Sequence, residues 1–158
     1  MTDAVTITIN GEVVAKGRTR MTRRGFVYTP TATRKYEAHA RLAAQVAMGD
    51  RAPLQIPVRV ELAVELPVPT SWSNKRRLAA LAGAIAPTSK PDIDNNVKMA
   101  LDAINTIVVT DDALVVEIQA RKRFSEQPKL TAIIIPLDVA ASNSRIPQRE
   151  AVAVAQEV

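Results

Sequence analysis

The sequence predicts one α/β (α+β) domain, and three observations predict it. Segments 4–10 and 58–66 alternate apolar and polar residues as half-buried strands do, and 130–137 is a compact apolar run. Segments 31–48 and 93–107 instead repeat apolar residues at offsets of three and four, the period of a helix face. The chain is 158 residues long with no internal repeat, which fits a single core of ordinary size.

Taken in order, Ala4 to Asn10 forms the first strand, and Asn10-Gly11 signals a turn that returns Glu12 to Ala15 as a second short strand. Lys16, Arg18, Arg20, Arg23 and Arg24 then crowd the segment 16–25, which has no acid, carries Gly17 and Gly25 near its ends and is expected to be a mobile arm. Phe26-Val27-Tyr28 is a brief strand. Pro30 and Thr31 open a helix of about eighteen residues with Tyr36, Ala40, Ala43, Ala44 and Ala47 on its apolar side; Gly49 ends it. His39 reads as a surface or packing residue. Val58 to Leu66 is a strand stopped by Pro67 and Pro69. Ser71-Trp72-Ser73-Asn74 is an N-cap cluster for a helix over 74–84, with Trp72 as a packing anchor. Lys75, Arg76 and Arg77 fill the first turn of that helix, where cations oppose the helix dipole, so a phosphate contact explains them better than stability does.

The next helix starts at Asp92 or Asp94, with Ile93, Val97, Ala100, Leu101, Ile104 and Ile107 as its expected buried face and Asp94, Lys98, Asp102 and Asn105 as the opposite stripe. Thr110-Asp111-Asp112 is a turn, Leu114 to Ala120 a strand ending at Arg121-Lys122-Arg123, and Leu130 to Leu137 the last strand.

Composition narrows the chemistry. There is no cysteine and one histidine, so disulfides and thiolate or multi-histidine metal sites are excluded within one chain. Any metal is held by oxygen, which points to Mg²⁺ or Mn²⁺. The net charge of +5 favours a polyanionic partner. Five aromatic residues give little for stacking single-stranded bases, so a nucleic acid would be held through phosphates and duplex shape. No apolar run reaches membrane-span length, and the chain reads as soluble and cytoplasmic.

An Asp-x-Asp at a helix start is by itself accounted for by capping. Its setting adds more. Asp92, Asp94 and one of Asp111 and Asp112 offer three carboxylates from two elements expected to be close, enough for a hard divalent cation that keeps positions for water and phosphate. Lys98, one turn beyond Asp94, would neutralise charge developing on the phosphate or orient the water. Together these residues suggest metal-dependent phosphodiester hydrolysis.

The run Lys90-Pro-Asp-Ile-Asp-Asn-Asn-Val-Lys98, followed by Leu101-Asp-Ala-Ile104, Asp111-Asp112, Val115-Val116-Glu117 and Lys122-Arg123, resembles the RusA family of Holliday junction resolvases. So do the arm before Tyr28-Thr-Pro30 and Pro69-Thr-Ser-Trp-Ser73; the resemblance covers residues 4 to about 137. It implies a homodimeric, Mg²⁺-dependent endonuclease, often carried by phages and prophages. Such an enzyme binds four-way junction DNA and makes paired symmetric nicks in recombination and repair. It implies no membrane partner and no nucleotide cofactor. Carried onto this chain, Asp92, Asp94 and Asp112 become the catalytic and metal-holding carboxylates, with Asp111 as substitute for the last, and Lys98 the catalytic lysine. Lys16, Arg18, Arg20, Arg23, Arg24, Lys75, Arg76 and Arg77 become the DNA-binding residues. The chain departs from the family at Thr106, Val109 and Thr110, where members often have Gly, Trp and Lys. The expected architecture is a mixed β-sheet packed against helices over residues 1–137, with 138–158 a mobile tail. The competing readings are a metal nuclease for flaps or other branched DNA, and a structure-selective DNA-binding protein without catalysis.

Overall fold

The computed structural model describes residues 3–14, 16 and 19–137. Arg18 and the segment 138–158, assigned above to DNA binding and to a tail, lie outside the described residues, as does Ala15. The elements are β1 (Val5–Asn10), β2 (Arg20–Met21), β3 (Val27–Tyr28), α1 (Thr31–Met48), β4 (Val58–Pro67), α2 (Asn74–Leu81), α3 (Ile93–Ile104), a 3₁₀ turn (Asp112–Leu114), β5 (Val115–Ser125) and β6 (Lys129–Pro136).

Four strands form a mixed sheet in the order β1-β6-β4-β5. β6 runs antiparallel to both neighbours, while β4 and β5 are parallel. This is the expected α+β architecture. Alternation decides which face is covered: Val5, Ile7 and Ile9 of β1 are buried while Thr6, Thr8 and Asn10 are exposed. Val58, Val60, Leu62 and Val64 of β4 and Leu130, Ala132 and Ile134 of β6 continue the same layer. α1 lies on β1 and against α3; α3 reaches β4 and β5, and α2 packs on β5. Truncating a core residue such as Leu130 to alanine would cost about 2–5 kcal/mol.

Several expectations change. The second strand expected over Glu12 to Ala15 does not form at 12–14; Gly11 turns at φ 100° and its N–H donates to the Pro128 carbonyl at 2.9 Å. β1 instead pairs with β6, from Val5↔Ile134 to Asn10↔Lys129. The arm is partly ordered, since β2 and β3 pair as a hairpin closed by Thr22 and Phe26. α2 ends at Leu81 rather than at residue 84, because Gly83 leaves the helix at φ 83°. β5 continues through Arg121-Lys122-Arg123, because alternation finds each side chain a partner or solvent. Arg123 Nε donates to Glu65 Oε1 at 2.8 Å, and Lys129 Nζ lies 3.4 Å from Glu65 Oε2. The Glu65 side chain is only 4% exposed, and the two cations compensate a carboxylate that burial would otherwise penalise.

The buried face of α3 is also rotated from the expected one. Asn96, Met99, Ala100, Ala103 and Ile104 are buried, Val97 and Leu101 are half-buried, and Ile93 is exposed. After α3, Val108 and Val109 are fully buried, and Thr106 turns at φ 64°. That left-handed conformation belongs to glycine, and Thr106 stands where glycine was noted for the resembling family. No helix among the described residues is long and apolar enough to cross a membrane.

Candidate active site

Asp92 is the N-cap residue of α3, with φ −71° and ψ 146°, yet its carboxylate makes no capping hydrogen bond. The backbone does the holding instead. Asn96 donates to the Asp92 carbonyl from its N–H at 3.3 Å and from Nδ2 at 3.0 Å. Asn96 is fully buried for this, and its Oδ1 has no partner among the described residues. Asp94 sits in the first turn, where the helix dipole favours an anion. Lys98 is one turn further along the same exposed stripe, about 6 Å away by helix geometry. Among the described residues none of these three side chains has a hydrogen-bond or ion-pair partner, so Lys98 does not make the surface pairs with Asp94 and Asp102 that a structural role predicts.

Asp102 is taken by another cation. Lys16 Nζ pairs with Asp102 Oδ2, the Lys16 N–H donates to the Asn95 carbonyl at 3.4 Å, and Arg41 donates to the Asp102 carbonyl at 3.1 Å. Lys16, expected on DNA, thus fastens the arm's root to α3. A cleft of about 810 Å³ opens here, bounded by Lys16, Arg20, Lys90, Asp92, Asp94 and Asn95. The Lys90–Pro91 peptide at its edge is cis. Arg20, Arg23 and Arg24 are exposed on the β2–β3 hairpin, beside Met21, Phe26 and Val27, each at least 67% exposed. In sequence Phe26 and Val27 read only as a brief strand and Met21 only as part of the basic run, where it stands between Arg20 and Arg23.

The expected juxtaposition of Asp92 and Asp94 with Asp111 or Asp112 does not occur within one chain. α3 runs back along β5, so its ends lie at opposite ends of that strand. Lys122 Nζ donates to the Pro91 carbonyl at 3.0 Å, whereas Asp112 precedes Val115. Seven strand residues at about 3.3 Å each separate these points by about 23 Å, and the twelve residues of α3 span about 18 Å. Among the described residues no three Asp, Glu or His side chains gather as a metal-holding group. Asp111 and Asp112 also differ from each other: Asp111 Oδ1 accepts from the Ala113 N–H at 2.8 Å as the cap of the 3₁₀ turn, while Asp112 is exposed with no partner among the described residues.

α2 carries Lys75 and Arg76 exposed and Arg77 half-buried. Ser73 caps the helix by accepting from the Arg76 N–H at 3.4 Å. Trp72 packs edge-on against Phe124 of β5 at 5.3 Å between ring centroids, and Arg76 stacks 3.8 Å from the Trp72 ring centroid. Trp72 is therefore a packing anchor, and Arg76 is held by it at the rim. α2 anchors near Phe124 while the loop before Asp92 fastens to Lys122, so the basic first turn of α2 borders the end of β5 that holds Asp92 and Asp94, and Lys16 and Arg20 line the cleft there.

The chain is 34% identical over 137 residues to the uncharacterized protein YqaN of Bacillus subtilis (strain 168), an alignment covering 84% of this chain and 96% of that protein. The family described as endodeoxyribonuclease RusA matches residues 10–135, a span that includes the cleft, α3, the 3₁₀ turn, β4, β5 and all but the last residue of β6. The chain belongs to the RusA family of endodeoxyribonucleases, Holliday junction resolvases that hydrolyse phosphodiester bonds.

Proposed function

We propose that the protein resolves four-way DNA junctions as a Mg²⁺-dependent homodimer, nicking two strands symmetrically in recombination and repair. One observation carries this reading: Asp92 at the N-cap of α3 and Asp94 and Lys98 on one of its stripes stand exposed and unpartnered among the described residues, beside a cleft edged by Lys16, Arg20 and Lys90. Carboxylate oxygens suit a hard cation, and these two are engaged by no other side chain among the described residues. Mg²⁺ bound there supplies a Lewis acid for the scissile phosphate and lowers the pKa of water. Lys98 places a fixed positive charge where negative charge grows on the phosphate. The hairpin arginines and the first turn of α2 grip the flanking backbone.

The dimer supplies what one chain lacks. Among the described residues β5 is an edge strand, and Val116 and Ile118 on it are 59% and 46% exposed. Two copies paired antiparallel along this edge bury both residues and satisfy the free edge. Such pairing reverses one strand against the other. The partner's Asp112 then comes to the end of β5 that holds Asp92 and Asp94. Each site takes two carboxylates from one protomer and one from the other, and the two-fold axis accounts for two symmetric nicks.

The test is cleavage of labelled junction, flap and linear duplex with Mg²⁺ by the wild type and by Asp92→Asn and Asp94→Asn. Paired nicks in the junction, lost in both variants while junction binding persists, are the expected result. Flap cleavage alone would make the protein a branched-DNA nuclease of another preference, and a gel shift without cleavage would make it a binding protein.

A further inference from the structure

We propose that Lys122 is a positioning residue for Asp92: its ammonium pins the loop that presents the carboxylate, a role that rests on the nuclease reading above. Lys122 sits in the run Arg121-Lys122-Arg123, which in sequence looks like a solvated basic patch. Strand alternation separates the three. Arg121 and Arg123 point to the open face of the sheet, where Arg123 meets Glu65. Lys122 points to the covered face, in register with the buried Val64 and two residues from the buried Phe124. An ammonium half-buried among such neighbours is costly unless its donors are used. Two of them are: Lys122 Nζ donates to the Ser89 carbonyl at 2.9 Å and to the Pro91 carbonyl at 3.0 Å.

The second bond matters most. The Pro91 carbonyl belongs to the peptide that ends in the Asp92 nitrogen, so fixing it fixes the plane from which Asp92 departs. On the other side, Asn96 holds the Asp92 carbonyl through two donors. The backbone is thus clamped before and after Asp92. Its carboxylate, spared from capping, keeps only side-chain rotation. Pinning by a charged donor lowers the entropy lost when that carboxylate takes up a cation or orients water. A loop of Thr88, Ser89, Lys90 and Pro91, which has no regular secondary structure of its own, would otherwise leave Asp92 on a loose mount.

The experiment compares Lys122→Met, Lys122→Arg and Arg121→Met with the wild type. Arg121→Met removes the same charge one residue away, on the other face. Nitrogen-15 relaxation reads the order of the Ser89, Lys90 and Asp92 amides. Calorimetric titration with Mg²⁺ in the absence of DNA reads the site. In Lys122→Met the order parameters are expected to fall from about 0.85 to below about 0.6. Mg²⁺ affinity and single-turnover cleavage should each fall by about 10- to 100-fold, as when an outer support of a ligand is lost. Lys122→Arg, which can span both carbonyls, should restore most of each, and Arg121→Met should leave loop order and Mg²⁺ affinity as in the wild type. Junction affinity and its salt dependence should not change in Lys122→Met. Unchanged loop order overturns the proposal, as does an equal loss in Arg121→Met. A fall of about one unit in the log–log salt slope with an ordered loop would make Lys122 a phosphate contact instead. If the wild type neither binds Mg²⁺ nor cuts a junction, the nuclease reading fails on its own, and the relaxation data still decide whether Lys122 holds the loop.

Discussion

If Asp112 acts in the partner's site, two dead proteins mixed together should yield a live one. The perturbation is a pair of variants, Asp94→Asn and Asp112→Asn, each purified alone and then exchanged at equal concentration. Oxygen ligands lie about 2.0–2.6 Å from Mg²⁺ or Ca²⁺, so carboxylates sharing one ion sit within about 5 Å of each other. The separation of about 18 Å along α3 exceeds that several-fold, so one chain cannot supply both groups to one ion. In a mixed dimer, one site then combines the intact Asp92 and Asp94 of one copy with the intact Asp112 of the other, while the second site carries both lesions. Random exchange makes about half of the dimers mixed, so about a quarter of all sites should be whole. The assay is a supercoiled plasmid that extrudes a cruciform. Paired incision linearises it, whereas one intact site per dimer leaves an open circle. The expected result is open circles at about a quarter of the wild-type site number, with little linear product. Mixing that leaves activity at the sum of the two variants, with exchange verified by native mass spectrometry, would refute the shared site.

Lys98→Met should leave stability within about 0.5 kcal/mol, because the residue has no partner among the described residues to lose. Single-turnover cleavage by that variant should fall about a hundred- to a thousand-fold, and a loss under about threefold would return Lys98 to the helix surface. Neutralising Arg20, Arg23 and Arg24 together should lower the log–log salt slope of junction binding by nearly one unit for each arginine on a phosphate; an unchanged slope would make the hairpin a bystander. Burial pushes the Tyr36 hydroxyl up from 10.0 to about 12, and that hydroxyl has no partner among the described residues. The folded state therefore favours the neutral phenol. Its contribution is complete below pH 10 and is lost as the pH rises towards 12, so Tyr36→Phe should flatten the fall in melting temperature across that window. Thr106→Gly should raise stability by about 1 kcal/mol in denaturant titration, because it relieves a β-branched residue held at positive φ.

What the sequence made legible follows from the range of each signal. Alternation in Val5–Asn10 and Val58–Pro67 is local, and both strands occur where it places them. α1 is legible because Pro30 starts it and Gly49 stops it. The partner of β1 is not legible: Val5 meets Ile134 across most of the chain, and Asn10-Gly11 offers a nearer but unused hairpin. Three charges at 121–123 read as the end of a strand because the neighbours that receive them, Glu65 and the carbonyls of Ser89 and Pro91, are distant in sequence. The turn of the α3 face has a similar origin. Asn96 is polar and counts against burial in any apolar pattern, yet its amide is used inside to hold Asp92. Asp94 and Lys98 share one helix face and were legible as a stripe, and Asp92 was legible as a candidate cap at the helix start. The distance to Asp112 was not, because it depends on α3 running against β5.

The strand order has a consequence for how the chain is made. Among the described strands β1 is synthesised first, and its partner in the sheet, β6, is synthesised last. β6 also fills the place between β1 and β4. A ribosome adding about 5–20 residues each second therefore holds β1 without its neighbour for several seconds at least, until Lys129–Pro136 has emerged. During that interval Val5, Ile7 and Ile9 have only the inner side of α1 to cover them, and the parallel β4–β5 pair has an open edge on the β4 side. Insertion of β6 closes both gaps at once. Completion of the sheet thus waits for Lys129–Pro136, and a chain halted before residue 129 would display the two strand edges that β6 otherwise joins.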